Sequence, residues 1–186
     1  ILLMRWNKHS ALEGTHATLS ASSYHWLNYD EEKMRTTYQN LLAKERGTQL
    51  HEFASMAIRL GQRMPRTKTT LAMFVNDALG YKMQSEQPLF YSFNCYGTAD
   101  AICFDGKVLR IHDLKTGVGP THFEQLEIYA ALFCLEYDVW PDDIEIIMRI
   151  YQNDDVREEH ADPADIKYIM QKIKDFDKLI ESMKGE

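Results

Sequence analysis

Asp105-Gly106 lies between two apolar-rich runs, residues 95–104 and 107–114. An Asp-Gly pair so flanked is the strongest short-range hairpin signal, because a type I′ turn needs positive φ at both central positions. A two-residue turn at this point puts Phe104 opposite Lys107, Asp100 opposite Ile111 and Thr98 opposite Asp113. Asp100 and Asp113 then share one face as diagonal neighbours, roughly 7–8 Å apart by backbone. Lys115, two residues past Asp113, projects from the same face.

Two carboxylates on an otherwise apolar ribbon repel each other and are driven towards protonation. A divalent cation resolves the conflict, and oxygen ligands suit Mg²⁺ or Mn²⁺. An ammonium beside such an ion stabilises charge developing on a phosphate or helps to position an attacking hydroxide. The plainer alternative is an Asp113–Lys115 ion pair with Asp100 an unrelated residue. The residues alone leave both open.

The rest of the chain supplies layers for this ribbon. Ser22 or Ser23 is placed to cap a short turn through Leu27. Asp30 caps a helix running to about Arg46, with Glu31 and Glu32 in its first turn. Gly47-Thr48 reads as punctuation before a second helix to Gly61, and residues 62–70 as a polar, basic connector. Leu71–Leu79 is a short apolar helix closed by Gly80. Pro88 confines the extended stretch around it to an edge or bend. Residues 121–137 return to helical period, and Ile144–Tyr151 is a buried-strand candidate. Asp162-Pro163 opens a last helix with Ile166, Ile169, Ile173, Phe176, Ile180 and Met183 on one face. The expectation is a single α/β domain over residues 1–186, a small mixed β-sheet flanked by helices. Residues 1–80 are mostly helical, 81–151 hold the sheet and a helix, and 160–184 form the C-terminal helix.

Charge is more informative by segment than in total. The net of −7 argues against bulk attraction to nucleic acid. Yet residues 33–68 carry eight basic and two acidic side chains, whereas residues 136–186 carry seven and fifteen. Cys95, Cys103 and Cys134 are widely spaced, with no CxxC pair, which points to a reducing interior and a cytoplasmic setting. No apolar run approaches the length of a membrane span. The opening Ile1-Leu2-Leu3-Met4 is too short for a signal segment and ends at Arg5.

Four groups of residues occur in a telling order: Arg46-Gly47-Thr48-x-x-His51-Glu52, then Gly97-Thr98-Ala99-Asp100, Asp113-Leu114-Lys115-Thr116-Gly117, and Gln125-x-x-x-Tyr129. Together with Ser20–Leu27 they resemble the PD-(D/E)XK nuclease superfamily over about residues 14–151. Within it they are similar to the RecB-like exonuclease branch of phage-encoded type, which is related to the CRISPR-adaptation nucleases. The resemblance implies a restriction-endonuclease-like core. It makes His51, Asp100 and Asp113 metal ligands with the backbone carbonyl of Leu114, and Lys115 the catalytic lysine. Gln125 and Tyr129, one helical turn apart, would contact the DNA backbone or steer Lys115. Glu52 and Glu86 are auxiliary carboxylate candidates, and His112, on the opposite face from Asp113, is a structural residue. Some relatives carry four cysteines for an iron–sulfur cluster. Three cysteines ending at Cys134 cannot supply them, so no cluster is expected.

The function so implied is a Mg²⁺- or Mn²⁺-dependent DNA exonuclease using one or two ions and a metal-activated water, in phage recombination or DNA processing in the host cytoplasm. Its partner is linear DNA, single- or double-stranded, gripped by Arg46, Arg59, Arg63 and Lys68 with Lys33, Arg35, Lys44 and Arg66. A recombination partner protein or a homo-oligomer is the further partner the reading allows, and a membrane partner is not expected. The alternatives are a structure-specific or nicking endonuclease of the same fold and a non-catalytic DNA-binding or assembly subunit.

Overall fold

The structure, a computed structural model, describes residues 4–186, so the opening residues Ile1, Leu2 and Leu3 lie outside the described residues. The chain divides into two compact units, one ending at Arg46 and one from Gly47 onward. The first holds two short 3₁₀ turns, Ser10–Leu12 and Tyr24–Asn28, and the start of helix α1 (Glu31–Arg59). Ser23 makes no side-chain cap on the second turn; instead Trp26 Nε1 donates to the Ser20 carbonyl at 2.7 Å. Asp30 does cap α1, accepting from the Lys33 amide at 2.7 Å.

One expectation fails here. The helices expected on either side of Gly47-Thr48 are one helix of 29 residues. Gly47 does not break it, because a glycine inside a helix costs only about 1 kcal/mol relative to alanine. Its bareness serves packing: a Cβ at Gly47 would lie 2.7 Å from Thr116 Oγ1.

The second unit is an α/β layer structure. After α2 (Thr70–Gly80) come β1 (Gln84–Ser92), β2 (Cys95–Phe104), β3 (Val108–Leu114), α3 (Glu124–Tyr137), β4 (Glu145–Gln152), β5 (Asp155–His160) and α4 (Pro163–Lys184). The strands form a five-stranded mixed sheet in chain order. All pairs are antiparallel except β3–β4, which α3 joins as a parallel crossover. One face carries Ile102, Ile111, Ile146, Met148 and Ile150 against Leu126, Ala130 and Phe133 of α3 and Ile166 of α4. The other carries Ala101, Leu114 and Tyr151 against Ala54, Ala57 and Ile58 of α1 and Phe74, Val75 and Ala78 of α2. Pro88 sits in the edge strand β1, where its missing N–H leaves no bond unmade. Asp162 caps α4 through the Ala164 amide, as its sequence requires.

The hairpin exists, but its turn is centred one residue later. Phe104 pairs with Leu109 and Ala101 with His112. Gly106 alone takes positive φ, at 94°, so the turn is not type I′. The Asp105 carboxylate sets it, accepting from the amides of Lys107 (2.9 Å) and Val108 (2.7 Å). The type I′ geometry appears instead at Asn153 (φ 53°) and Asp154 (φ 57°), which join β4 to β5. Strand β5 was not expected from sequence, since Val156-Arg157-Glu158-Glu159 lacks apolar alternation. It is a charged edge strand, the composition that keeps edges from pairing further. The apolar face of α4 also extends further than its burial. Ile166 and Ile173 are buried with Met170, whereas Phe176, Ile180 and Met183 are exposed.

Candidate metal site

The sheet splits where the motif residues lie. β2 and β3 pair only from Phe104–Leu109 to Ala101–His112. Beyond that step β2 follows β1 down to Cys95, and β3 follows β4 to the Leu114–Tyr151 pair. Asp100 and Asp113 are the next residues into the fork. The two-residue shift in register keeps both on the expected face and makes them direct rather than diagonal neighbours. The fork leaves the Leu114 amide without a strand partner, and Asp100 Oδ2 accepts from it at 2.8 Å.

Around Asp100 the donor atoms of His51, Glu86 and Asp100 all lie within 4.8 Å of one another. His51 comes from α1, its Nδ1 3.5 Å from Asp100 Oδ1. Glu86 sits on β1 between the Ser85–Ala101 and Gln87–Ala99 pairs, opposite Asp100, with φ of 51°. For a residue with a Cβ this left-handed geometry costs about 1–2 kcal/mol. Glu52, by contrast, is exposed on α1 and outside this group. Of the two auxiliary carboxylate candidates, the cross-strand register therefore brings in Glu86 alone.

Asp113 is 2% exposed. Its Oδ2 accepts no hydrogen bond, although Lys115 Nζ lies 2.8 Å away as a charge partner. Burial, followed by the Asp100 charge, pushes its carboxyl up to about 6, with Lys115 opposing. Burial and then Asp100 likewise raise Glu86. The bond to Asp100 is the main cause that raises His51, against its burial. All three shifts have the direction expected of excess negative charge, which a bound cation relieves. One imidazole and three carboxylates are a donor set of the kind that binds Mn²⁺ or Mg²⁺. The convergence of the His51, Glu86 and Asp100 donor atoms within 4.8 Å of one another is the further sign that they fit such an ion.

The lysine is aimed by a chain of bonds. Lys115 Nζ donates to Gln125 Oε1 at 2.7 Å, and Gln125 Nε2 donates to Tyr129 Oη at 2.9 Å. Gly97 lets the tyrosine into place, since a Cβ there would lie 3.0 Å from Tyr129 Cε1. Leu114 ends β3 with its side chain in the core. His112 faces away from the fork. Its Nδ1 lies 3.2 Å from Tyr151 Oη, and burial holds it neutral with a pKa of about 3.

The structure therefore gathers His51, Asp100, Asp113, Leu114, Lys115, Gln125 and Tyr129, together with the auxiliary candidate Glu86. The basic residues are not drawn into this cluster. Arg59 at the end of α1 donates to Ser55 Oγ (2.7 Å) and partly offsets the rise at Glu86. Arg46 on α1 and Arg63 and Lys68 in the connector are exposed. No described helix is long and apolar enough to cross a membrane.

Residues 86–176 match the model of a family described as a protein of unknown function (DUF2800). That span runs from Glu86 through Tyr129 and leaves out His51. No curated protein and no solved structure matches the chain.

Proposed function

We propose that this chain is a metal-dependent deoxyribonuclease of the PD-(D/E)XK, RecB-like type, hydrolysing phosphodiester bonds of linear DNA as an exonuclease in DNA processing. The observation that carries the reading is the ammonium of Lys115 set 2.8 Å from buried Asp113, beside His51, Glu86 and Asp100, whose donor atoms lie close enough together to hold a cation. An ion pair that served only stability would not need His51 and Glu86 converging on the neighbouring carboxylate.

His51, Glu86, Asp100 and Asp113 would hold Mg²⁺ or Mn²⁺, with the Leu114 carbonyl at the same strand end. When bound, the ion supplies Lewis acidity at the scissile phosphate. Lys115 places its positive charge where the phosphoryl oxygens gain negative charge in the transition state. Gln125 holds that ammonium to one position through its Oε1, and Tyr129 holds Gln125. Arg46, Arg59, Arg63 and Lys68 track the phosphate backbone. The chain acts where DNA is accessible, in the cytoplasm, alone or as a homo-oligomer with a recombination partner.

The test is digestion of 5′- and 3′-labelled single- and double-stranded DNA beside a covalently closed circle, with Mg²⁺ or Mn²⁺ and with Asp113→Ala as control. The wild-type chain degrades the linear substrates, the variant none, and the circle survives. A nicked or linearised circle replaces the exonuclease with an endonuclease of the same site. No degradation, combined with no Mn²⁺ binding by calorimetry, leaves a non-catalytic subunit.

A further inference from the structure

The connector from Lys115 to α3 is held more firmly than its length requires. Gln152, at the end of β4, is 8% exposed and uses every polar side-chain group on this loop. Its Nε2 donates to the carbonyls of Gly117 (2.6 Å) and Gly119 (2.9 Å), and its Oε1 accepts from Thr121 Oγ1 (2.7 Å). From β5, Arg157 donates to the Thr121 carbonyl at 2.9 Å and to its hydroxyl. Between the first two pinned carbonyls stands Val118, 85% exposed. Single exposed apolar side chains are ordinary on protein surfaces. This one is stiff at χ1, flanked by two glycines, fixed on both sides and three residues from Lys115. An apolar group immobilised before its partner arrives loses little entropy on contact.

We propose that Val118 packs against the deoxyribose of the nucleotide beside the phosphate that Lys115 addresses, and that Gln152 is the positioning residue that fixes it there. This inference rests on the DNA-hydrolysing reading of the site. The sugar is the surface that fits. Phosphate calls for charge or N–H donors, which the isopropyl group lacks. The sugar carbons recur at every nucleotide, so the contact adds affinity without sequence preference. A 2′-hydroxyl at that position would be desolvated against the valine without a partner, which sets the contact against RNA.

The experiment measures binding of single-stranded DNA and RNA oligonucleotides in Ca²⁺, and kcat and KM for DNA in Mn²⁺. Variants are Val118→Ala, Val118→Ser, Gln152→Leu and the double variant Val118→Ala/Gln152→Leu. Removing the two methyl groups weakens DNA binding and raises KM about tenfold with kcat unchanged. Val118→Ser narrows the preference for DNA over RNA. Gln152→Leu raises KM similarly, and the double variant adds nothing further, as expected when one residue acts through the other. Wild-type binding and KM in Val118→Ala overturn the contact while leaving the nuclease reading intact. Additive effects in the double variant overturn the role of Gln152. A wild-type chain that neither binds nor cleaves DNA overturns the nuclease reading and the contact together.

Discussion

Asp113 and Lys115 form a 2.8 Å ion pair in which the carboxylate side chain is 3% exposed, while the ammonium is shared with Gln125. Attraction to one lysine does not offset the combined effects of burial and of Asp100, so the Asp113 carboxyl titrates at about 6, above its ordinary 3.8. A carboxyl whose pKa rises on folding is charged at a cost to the folded state. That cost is absent below about pH 4, grows between about 4 and 6, and is full above.

Asp113→Asn therefore stabilises the metal-free protein at pH 7.5, on the order of 1–3 kcal/mol, and the gain disappears below pH 4. Urea denaturation in EDTA across this range measures it. Mn²⁺ then raises the stability of the wild type and not of the variant. A metal-free wild type more stable than Asp113→Asn at pH 7.5 would show that the site is balanced without a cation.

Lys115 acts on charge that develops during the reaction, so its removal separates binding from chemistry. Lys115→Met lowers kcat by about 10²-fold or more and leaves calorimetric Mn²⁺ affinity close to wild type or higher. Gln125→Leu, which releases the ammonium from its anchor without removing it, lowers kcat by about tenfold. Equal losses in Mn²⁺ affinity and kcat for Lys115→Met would place the lysine in a structural role.

What the sequence made legible follows from how local each determinant is. Helix caps such as Asp30 and Asp162-Pro163, the buried run of β4 and the two ribbon strands are written in neighbouring residues, and they stand where expected. The face shared by Asp100 and Asp113 was also legible, because strand alternation survives a register shift by an even step. The turn itself was not: the Asp105 side chain accepts two amides and moves the bend to Gly106-Lys107. Gly47 shows the same limit from the other side. Its role is set by Thr116, far along the chain, and local reading turned a packing glycine into a helix end. Glu86 was legible as a candidate beside Glu52, but choosing between them needed the β1–β2 register, and β5 needed the Asn153-Asp154 turn to be read as a hairpin despite the charged strand after it.

The two motif glycines answer to different neighbours and should fail differently. Gly47→Ala brings a Cβ to 2.7 Å from Thr116 Oγ1, and it destabilises the fold by about 1–3 kcal/mol. Thr116→Ala in the same chain restores most of the loss. Gly97→Ala meets only the edge of the Tyr129 ring, at 3.0 Å, so stability changes little. The ring must give way, carrying Gln125 and Lys115 with it, and kcat falls while thermal stability holds. A Gly97→Ala enzyme with wild-type kcat would show that the Tyr129–Gln125 chain does not aim the lysine.

Glu86 offers a substitution in which stability and function should move in opposite directions. At φ of 51° a side chain is strained and a glycine is not. Glu86→Gly and Glu86→Ala both delete the carboxylate, but only alanine retains the strain. Glu86→Gly is therefore more stable than Glu86→Ala by about 1 kcal/mol in thermal melts without metal. Both variants bind Mn²⁺ about tenfold or more weakly than the wild type, a loss of about 1.4 kcal/mol. Unchanged Mn²⁺ affinity in both would remove Glu86 from the ligand set and leave its left-handed backbone without a functional reason.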